Sequence, residues 1–237
     1  MRKQAQADYD TARGTVHLRL LRTAQATLRP KLDQVERDLL NHKLALASTD
    51  ERRDTELRQA LARHLVETEM HTLPGIGPRL ALAVKKQVFH GELRNLLYAS
   101  QVDGIGPQKQ ATINAWLTHA ERRMPELLVA DFPRKKEITQ RYQAERERLN
   151  GEIATAEASH KQQAGLLVHV NDEIGRLSAV SARDFEAAMA DQTAYTDKVN
   201  LYLLGSFAPW ELMPDWFAQA LVASGQSSAH LKEVTSR

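Results

Sequence analysis

Apolar residues recur every three or four positions along two long stretches, and each stretch predicts an amphipathic helix. The first covers residues 21–71, and its apolar stripe consists of Leu21, Leu28, Leu32, Val35, Leu39, Leu46, Leu57, Leu61 and Leu65. Pro30 lies inside this stripe, and because proline is tolerated only in the first turn of a helix, we expect a kink or a new helix there. The Ser-Thr-Asp run at 48–50 is a second point where the helix could be interrupted.

The second stretch predicts a helix over residues 135–177. Its stripe consists of Ile138, Tyr142, Leu149, Ala156, Leu167, Val170, Ile174 and Leu177, and it is weakened in the middle by Gly151, Gln163 and Gly165. A helix with one apolar stripe is marginal alone, so the two most simply bury each other as an antiparallel coiled-coil arm. An intermolecular coiled coil, and with it a homodimer, is the competing interpretation.

Between these helices the chain carries a short repeat rich in glycine and proline. The first copy reads Leu73-Pro74-Gly75-Ile76-Gly77-Pro78-Arg79-Leu80-Ala81, and the second reads Val102-Asp103-Gly104-Ile105-Gly106-Pro107-Gln108-Lys109-Gln110. In each copy the glycines supply the positive φ of a sharp reversal, the isoleucine enters a small core, and the proline starts the next helix. The N–H groups of the glycine turn and of the helix start then face outward, where they and the helix dipole form an anion site.

Charge is concentrated on the same segment. Residues 71–123 contain seven Lys and Arg against three Asp and Glu, a net charge of +4, while the whole chain is only +2. The remainder therefore sums to −2. A local basic excess on the repeat is what a phosphate-binding surface requires.

The repeat resembles the helix-hairpin-helix family in its tandem form, whose two hairpins, related by a pseudo-twofold axis, grip the DNA strands across the minor groove without reading sequence. The resemblance implies phosphate contacts at Gly75, Gly77, Arg79 and Leu80 in the first copy, and at Gly104, Gly106, Gln108 and Lys109 in the second. The predicted DNA-binding set also includes Ile76, Ile105, Lys85 and Lys86. Ala81 is the small residue that the family carries after the second glycine, whereas Gln110 departs from that pattern.

The wider arrangement is similar to the C-terminal region of a group of bacterial proteins, in which coiled-coil helices flank tandem hairpins, often behind a protein-kinase-like domain. Trp116-Leu117 and Phe132-Pro133 add to this likeness. The chain has no glycine loop or catalytic-loop motif of a kinase. The resemblance therefore implies a non-catalytic part or a stand-alone relative.

No enzymatic chemistry is indicated by the remaining residues. The chain has no cysteine, its nine histidines are scattered, and its acidic residues form no cluster of the kind that a nuclease needs. We therefore predict no catalytic residue, metal or cofactor. The polar N-terminus and the lack of a run of about 20 apolar residues predict a cytoplasmic protein without membrane contact.

The C-terminal region is predicted to be helical over residues 184–204 and then to carry an aromatic segment, Phe207–Phe217. This segment is expected to fold back as a small hydrophobic cap; the alternative is a docking site for a partner protein, because exposed Trp and Phe anchor interfaces.

The sequence thus predicts an all-α chain with an N-terminal arm at 1–70, a tandem-hairpin head at 71–123, a returning arm at 124–180 and a C-terminal cap and tail at 181–237. The predicted function is sequence-independent binding of double-stranded DNA through backbone amides, with the arm as a spacer or partner-docking element. Two alternatives stay open. One is a coiled-coil scaffold with purely structural hairpins; the other is a non-catalytic subunit of a DNA-processing or kinase-linked system.

Overall fold

A computed structural model describes residues 1–190, residue 199 and residues 214–226 of the chain. Every element in this described part is helical, so the all-α prediction is confirmed. The helices are α1 (Arg2–Thr11), α2 (Arg13–Glu69), α3 (Pro78–Val84), α4 (Pro107–Val129), α5 (Lys135–Ser178), α6 (Ala182–Ala190) and α7 (Asp215–Ala223). Two 3-10 segments, Met70–Thr72 and Leu93–Gln101, and a π-helical segment, Lys85–Phe89, join them. None of the helices within the described residues is long and apolar enough to cross a membrane.

The two longest helices contain 57 residues in α2 and 44 in α5. The predicted bounds of the second long helix match α5. At Pro30 the sequence predicts a kink or a new helix; α2 continues through this residue, so no new helix begins there. Leu28 beside it is fully buried, and such packing offsets the cost of a proline inside a helix. The run at 48–50 is helical too, and the Ser48 and Thr49 hydroxyls donate to the Ala45 carbonyl of the preceding turn at 3.0 and 2.8 Å.

The chain forms two compact units: the first unit consists of residues 1–41 and 153–237, and the second unit of residues 42–152. They differ from the four segments predicted from the sequence, because α2 and α5 each contribute residues to both units.

The first unit has a core formed by α1, α6, α7, the start of α2 and the end of α5. Its fully buried large side chains are Leu21, Leu28, Leu177, Phe185 and Phe217. Here α2 and α5 run antiparallel, as shown by side-chain contacts between Gln25 and Asn171 at 2.7 Å and between Glu36 and His160 at 3.1 Å. Phe217, at the end of the predicted aromatic segment, is therefore a core residue, whereas residues 207–213 lie outside the described part.

The second unit contains both copies of the repeat. Its core includes Leu61, Met70, Ile76, Leu96, Ile113 and Ile138, all at most 1% exposed. Ion pairs join α2 to α5 here, among them Asp50 with Arg146 at 3.4 Å, Arg52 with Glu145 at 2.8 Å, and Glu56 with Arg141. As the residue number of the partner on α2 rises, that of the partner on α5 falls, so these helices are antiparallel in this unit as well. Surface pairs of this kind contribute little stability, but they favour one register.

An ionisable side chain, His17, lies inside the core of the first unit. His17 is 4% exposed, and its ring centroid lies 5.9 Å from that of Phe217. Burial lowers the pKa of His17 to about 4 from the ordinary 6.5, although the charge of Glu173 raises this pKa; the charge of Arg13 lowers it further. In the unfolded chain His17 gains a proton near pH 6.5, so the stability that depends on neutral His17 is complete above that pH and is lost as pH falls towards 4.

Replacing His17 by leucine should remove this pH dependence. Between pH 7.5 and pH 5 the free energy of unfolding of the first unit should fall by about 2 kcal/mol more in the parent protein than in His17→Leu. Urea unfolding in a background with Trp116→Phe and Trp210→Phe measures this difference by fluorescence, because the remaining tryptophan, Trp216, contacts Phe217 in the core of the first unit. Equal losses in the two proteins would show that His17 does not govern acid stability.

Candidate nucleic-acid interface

The first hairpin is a tight turn between the end of α2 and the start of α3. The Ile76 N–H donates to the Leu73 carbonyl at 2.9 Å, and Gly75 has a φ of +77°, a value that glycine adopts at little cost. The Ile76 side chain is 1% exposed and enters the core of the second unit. Gly77 is extended, with a φ of −75°, and caps α3, whose first residue is Pro78.

The second hairpin repeats this geometry. The Ile105 N–H donates to the Val102 carbonyl at 3.0 Å, Gly104 has a φ of +88°, and Ile105 is 5% exposed. Gly106, with a φ of −84°, caps α4, which begins at Pro107. In both copies, therefore, only the first glycine has the positive φ expected of the turn, and the second is an extended helix cap.

The two hairpins pack against each other in a reciprocal way. A Cβ built on Gly104 would lie 3.2 Å from Leu80 Cδ2, and one built on Gly75 would lie 3.6 Å from Lys109 Cε. Leu80 and Lys109 occupy the same position in the two copies, three residues after the second glycine. Each hairpin thus places a side chain over the first glycine of the other, as two elements related by a pseudo-twofold axis do.

The second glycine of each copy is open to solvent. A Cβ built on Gly77 or Gly106 would meet no atom within 4 Å. The first glycines are therefore required by the fold, through their φ and through hairpin packing, whereas the second ones leave space in front of a helix N-terminus.

The backbone donors at these helix starts point along the helix axes without an intrahelical acceptor. The first intrahelical bonds are donated by the N–H groups of Ala81 and Gln110, to the carbonyls of Gly77 and Gly106, both at 3.0 Å. The amides that precede them belong to Arg79, Leu80, Gln108 and Lys109. No side chain caps either helix. Helix starts of this kind bind anions through their amides and dipole.

The four basic side chains predicted to assist phosphate binding have different surroundings. Arg79 and Lys86 are exposed and form no ion pair with any residue in the described part of the chain. Lys85 is paired with Glu67 of α2, and the Lys109 ammonium donates to the Gly104 carbonyl at 2.8 Å. Two of the four are thus engaged within the protein.

Gln110, which departs from the family pattern, has a structural role. Its Nε2 donates to the Leu96 carbonyl at 3.0 Å, which ties α4 to the 3-10 segment before the second hairpin. In the first copy the corresponding Ala81 is simply buried. The sequence gives no signal for this bond, because the Leu96 carbonyl lies across from Gln110 only after the chain has folded.

A second contact missed by sequence reasoning joins the end of α2 to α4. The Glu69 carboxylate accepts the Trp116 N–H at 2.9 Å and the Arg123 guanidinium at 2.8 and 2.7 Å. Burial raises the pKa of Glu69, but the hydrogen bonds from Arg123 and Trp116 outweigh it and hold this pKa below its ordinary value. The network fixes the helix that enters the first hairpin against the helix that leaves the second.

Within the described residues, no three His, Asp or Glu side chains are grouped so that they could hold a metal ion. Comparison of the chain with models of known families, with curated proteins and with solved structures found no match.

The same substitution should have different effects at the two glycines of the second hairpin. Gly104→Ser requires a positive φ and pushes a Cβ against Leu80, so it should lower the free energy of unfolding by about 1–3 kcal/mol. Gly106→Ser occupies an extended helix cap with open space, where serine is favoured, so it should be neutral to within about 0.5 kcal/mol or stabilising. Urea unfolding of both variants compares them, and equal losses would contradict the different roles assigned to the two glycines.

Proposed function

We propose that the chain binds double-stranded DNA without sequence preference, through the backbone amides of two helix-hairpin-helix motifs. The observation that carries this proposal is the duplication of one anion-binding geometry. The same turn occurs twice, each copy opens a helix capped by an extended glycine, and the two copies contact each other reciprocally at Gly75 and Gly104. Two such sites held together suit the two phosphate backbones of a duplex.

Phosphate is the anion that these helix starts fit best. Four backbone amides precede the first intrahelical bonds, and the dipoles of α3 and α4 favour negative charge. Gly77 and Gly106 have no side chain, and the space beside them is open, so an anion can approach the backbone closely. Exposed Arg79 adds a charge-assisted contact beside the first site. Because phosphates are the same in every nucleotide, contacts of this kind position DNA without reading its bases.

The affinity of one such module is expected to be modest. A net charge of +4 on residues 71–123 neutralises few phosphates, which places the dissociation constant in the range of about 10⁻⁴–10⁻⁶ M that is typical of non-specific binding. The paired helices α2 and α5 serve in this proposal as a coiled-coil spacer or partner-docking element. A homodimer, or a partner bound through these helices or the Phe207–Phe217 segment, would raise the affinity by avidity.

The first test is a fluorescence-anisotropy titration of two duplexes of unrelated sequence at two salt concentrations. Equal binding of both duplexes that weakens as salt rises is the expected result, because backbone contacts are indifferent to sequence and sensitive to salt. A strong preference for one duplex would argue for base recognition instead.

The second test blocks the backbone amides at the starts of α3 and α4 without disrupting the fold. In Gly77→Asp with Gly106→Asp, each carboxylate should cap its own helix and occupy the donors that a phosphate would use, so the helices should be at least as stable and DNA binding should be lost. Gln87→Asp with Ser100→Asp is the charge-matched control, because both side chains are exposed in the same segment and neither lies at a helix cap of the hairpins. This control should lose only a small part of the affinity.

If the folded Gly77→Asp, Gly106→Asp variant binds DNA as the parent protein does, the DNA contact must lie outside the two hairpins. Absence of binding in the parent protein, even at low salt, would make the hairpins structural and favour the coiled-coil scaffold.

A further inference from the structure

Lys109 contacts both hairpins at once. Its aliphatic stem lies over the first hairpin, since a Cβ built on Gly75 would be 3.6 Å from Cε and 3.8 Å from Cγ. Its ammonium donates to the carbonyl of Gly104 in the second hairpin at 2.8 Å. One side chain, half-buried, therefore joins the glycine turns of both copies.

Leu80, the corresponding residue of the first copy, contacts the second hairpin through apolar atoms only. Leu80 reaches Gly104 from the first hairpin, and its Cδ2 would be 3.2 Å from a Cβ there. The Gly104 turn is thus contacted by the apolar Leu80 of the first copy and is bonded to the Lys109 ammonium of its own copy. This hydrogen bond lies within the second hairpin, and it holds the Lys109 stem in place over Gly75 of the first hairpin. A hydrogen bond with a charged partner is stronger than an apolar contact, so it fixes the stem against the first turn more narrowly than a second leucine would be fixed.

We propose that Lys109 is a positioning residue that sets the spacing of the two phosphate sites, and that its ammonium is not itself a phosphate ligand. This inference rests on the proposed function. A duplex presents phosphates at fixed separations, so hairpins held at a fixed spacing bind it as one unit, and the second contact becomes intramolecular. A flexible single strand adapts to any spacing, so the same residue favours duplex over single-stranded DNA.

Three variants separate positioning from direct contact. Lys109→Met keeps an unbranched stem over Gly75 and removes the ammonium, Lys109→Arg keeps a donor, and Arg79→Met removes the exposed cation beside the first site. Lys109→Met should weaken duplex binding about fivefold, as expected for one hydrogen bond, and should leave single-strand binding and the salt dependence of duplex binding unchanged. Lys109→Arg should bind like the parent protein.

The slope of log Kd against log salt identifies a direct phosphate ligand. Arg79→Met should reduce this slope by about 0.9, the value for one phosphate contact. The same reduction in Lys109→Met would show that its ammonium binds phosphate and would overturn the proposal. Duplex binding by Lys109→Met equal to that of the parent protein, or an equal loss of its single-strand binding, would also overturn the proposal.

Amide hydrogen exchange tests the bridge without DNA. The N–H groups of Ile76 and Ile105 close the two turns, and both should exchange faster in Lys109→Met than in the parent protein or in Lys109→Arg. Unchanged exchange would overturn the bridge even if DNA binds as proposed. If the parent protein does not bind DNA, the proposed function fails, and exchange still decides whether Lys109 joins the hairpins.

Discussion

The structure of the second unit depends on one constraint, which is that the backbone at Gly75 and Gly104 must have a positive φ while another side chain lies directly over it. A residue with a Cβ would be strained at this φ and, at Gly104, would also press against Leu80. Because this requirement is met, each turn can close on its own hydrogen bond, bury its isoleucine and direct its proline into the next helix. Both helix starts consequently face outward with their amides unengaged by the helix.

The two glycines of each hairpin have different reasons to be glycine. At Gly77 and Gly106 the backbone is extended and the surrounding space is open, so any L-residue fits. Serine, aspartate or asparagine would stabilise these helices more, since their side chains accept the first amides. Glycine at both positions therefore leaves unused a stabilising interaction that the geometry permits, and it keeps the same donors accessible to an external anion.

The features that sequence reasoning recovered are local, and those it missed are long-range. The bounds of α5 and the placement of Ile76 and Ile105 follow from residues within one turn or one helix. The bond from Gln110 to the Leu96 carbonyl and the Glu69 network join segments 14 to 54 positions apart, and no periodicity encodes them. Pro30 shows the reverse case: a reliable local rule predicts a break, but tertiary packing of the neighbouring Leu28 keeps α2 continuous.

The surroundings of the basic side chains explain why duplication matters in the proposed function. Lys85 is paired with Glu67, and Lys109 is bonded to a carbonyl, so fewer cations than the sequence count suggests are available to phosphate. Amides and helix dipoles must then supply much of the attraction, and each such contact is weak and short-ranged. Two weak contacts at a fixed spacing reinforce each other, because the second forms at a high effective concentration once the first is made. In the proposed function, the contact between the hairpins is thus what would allow a segment of modest charge to hold a duplex.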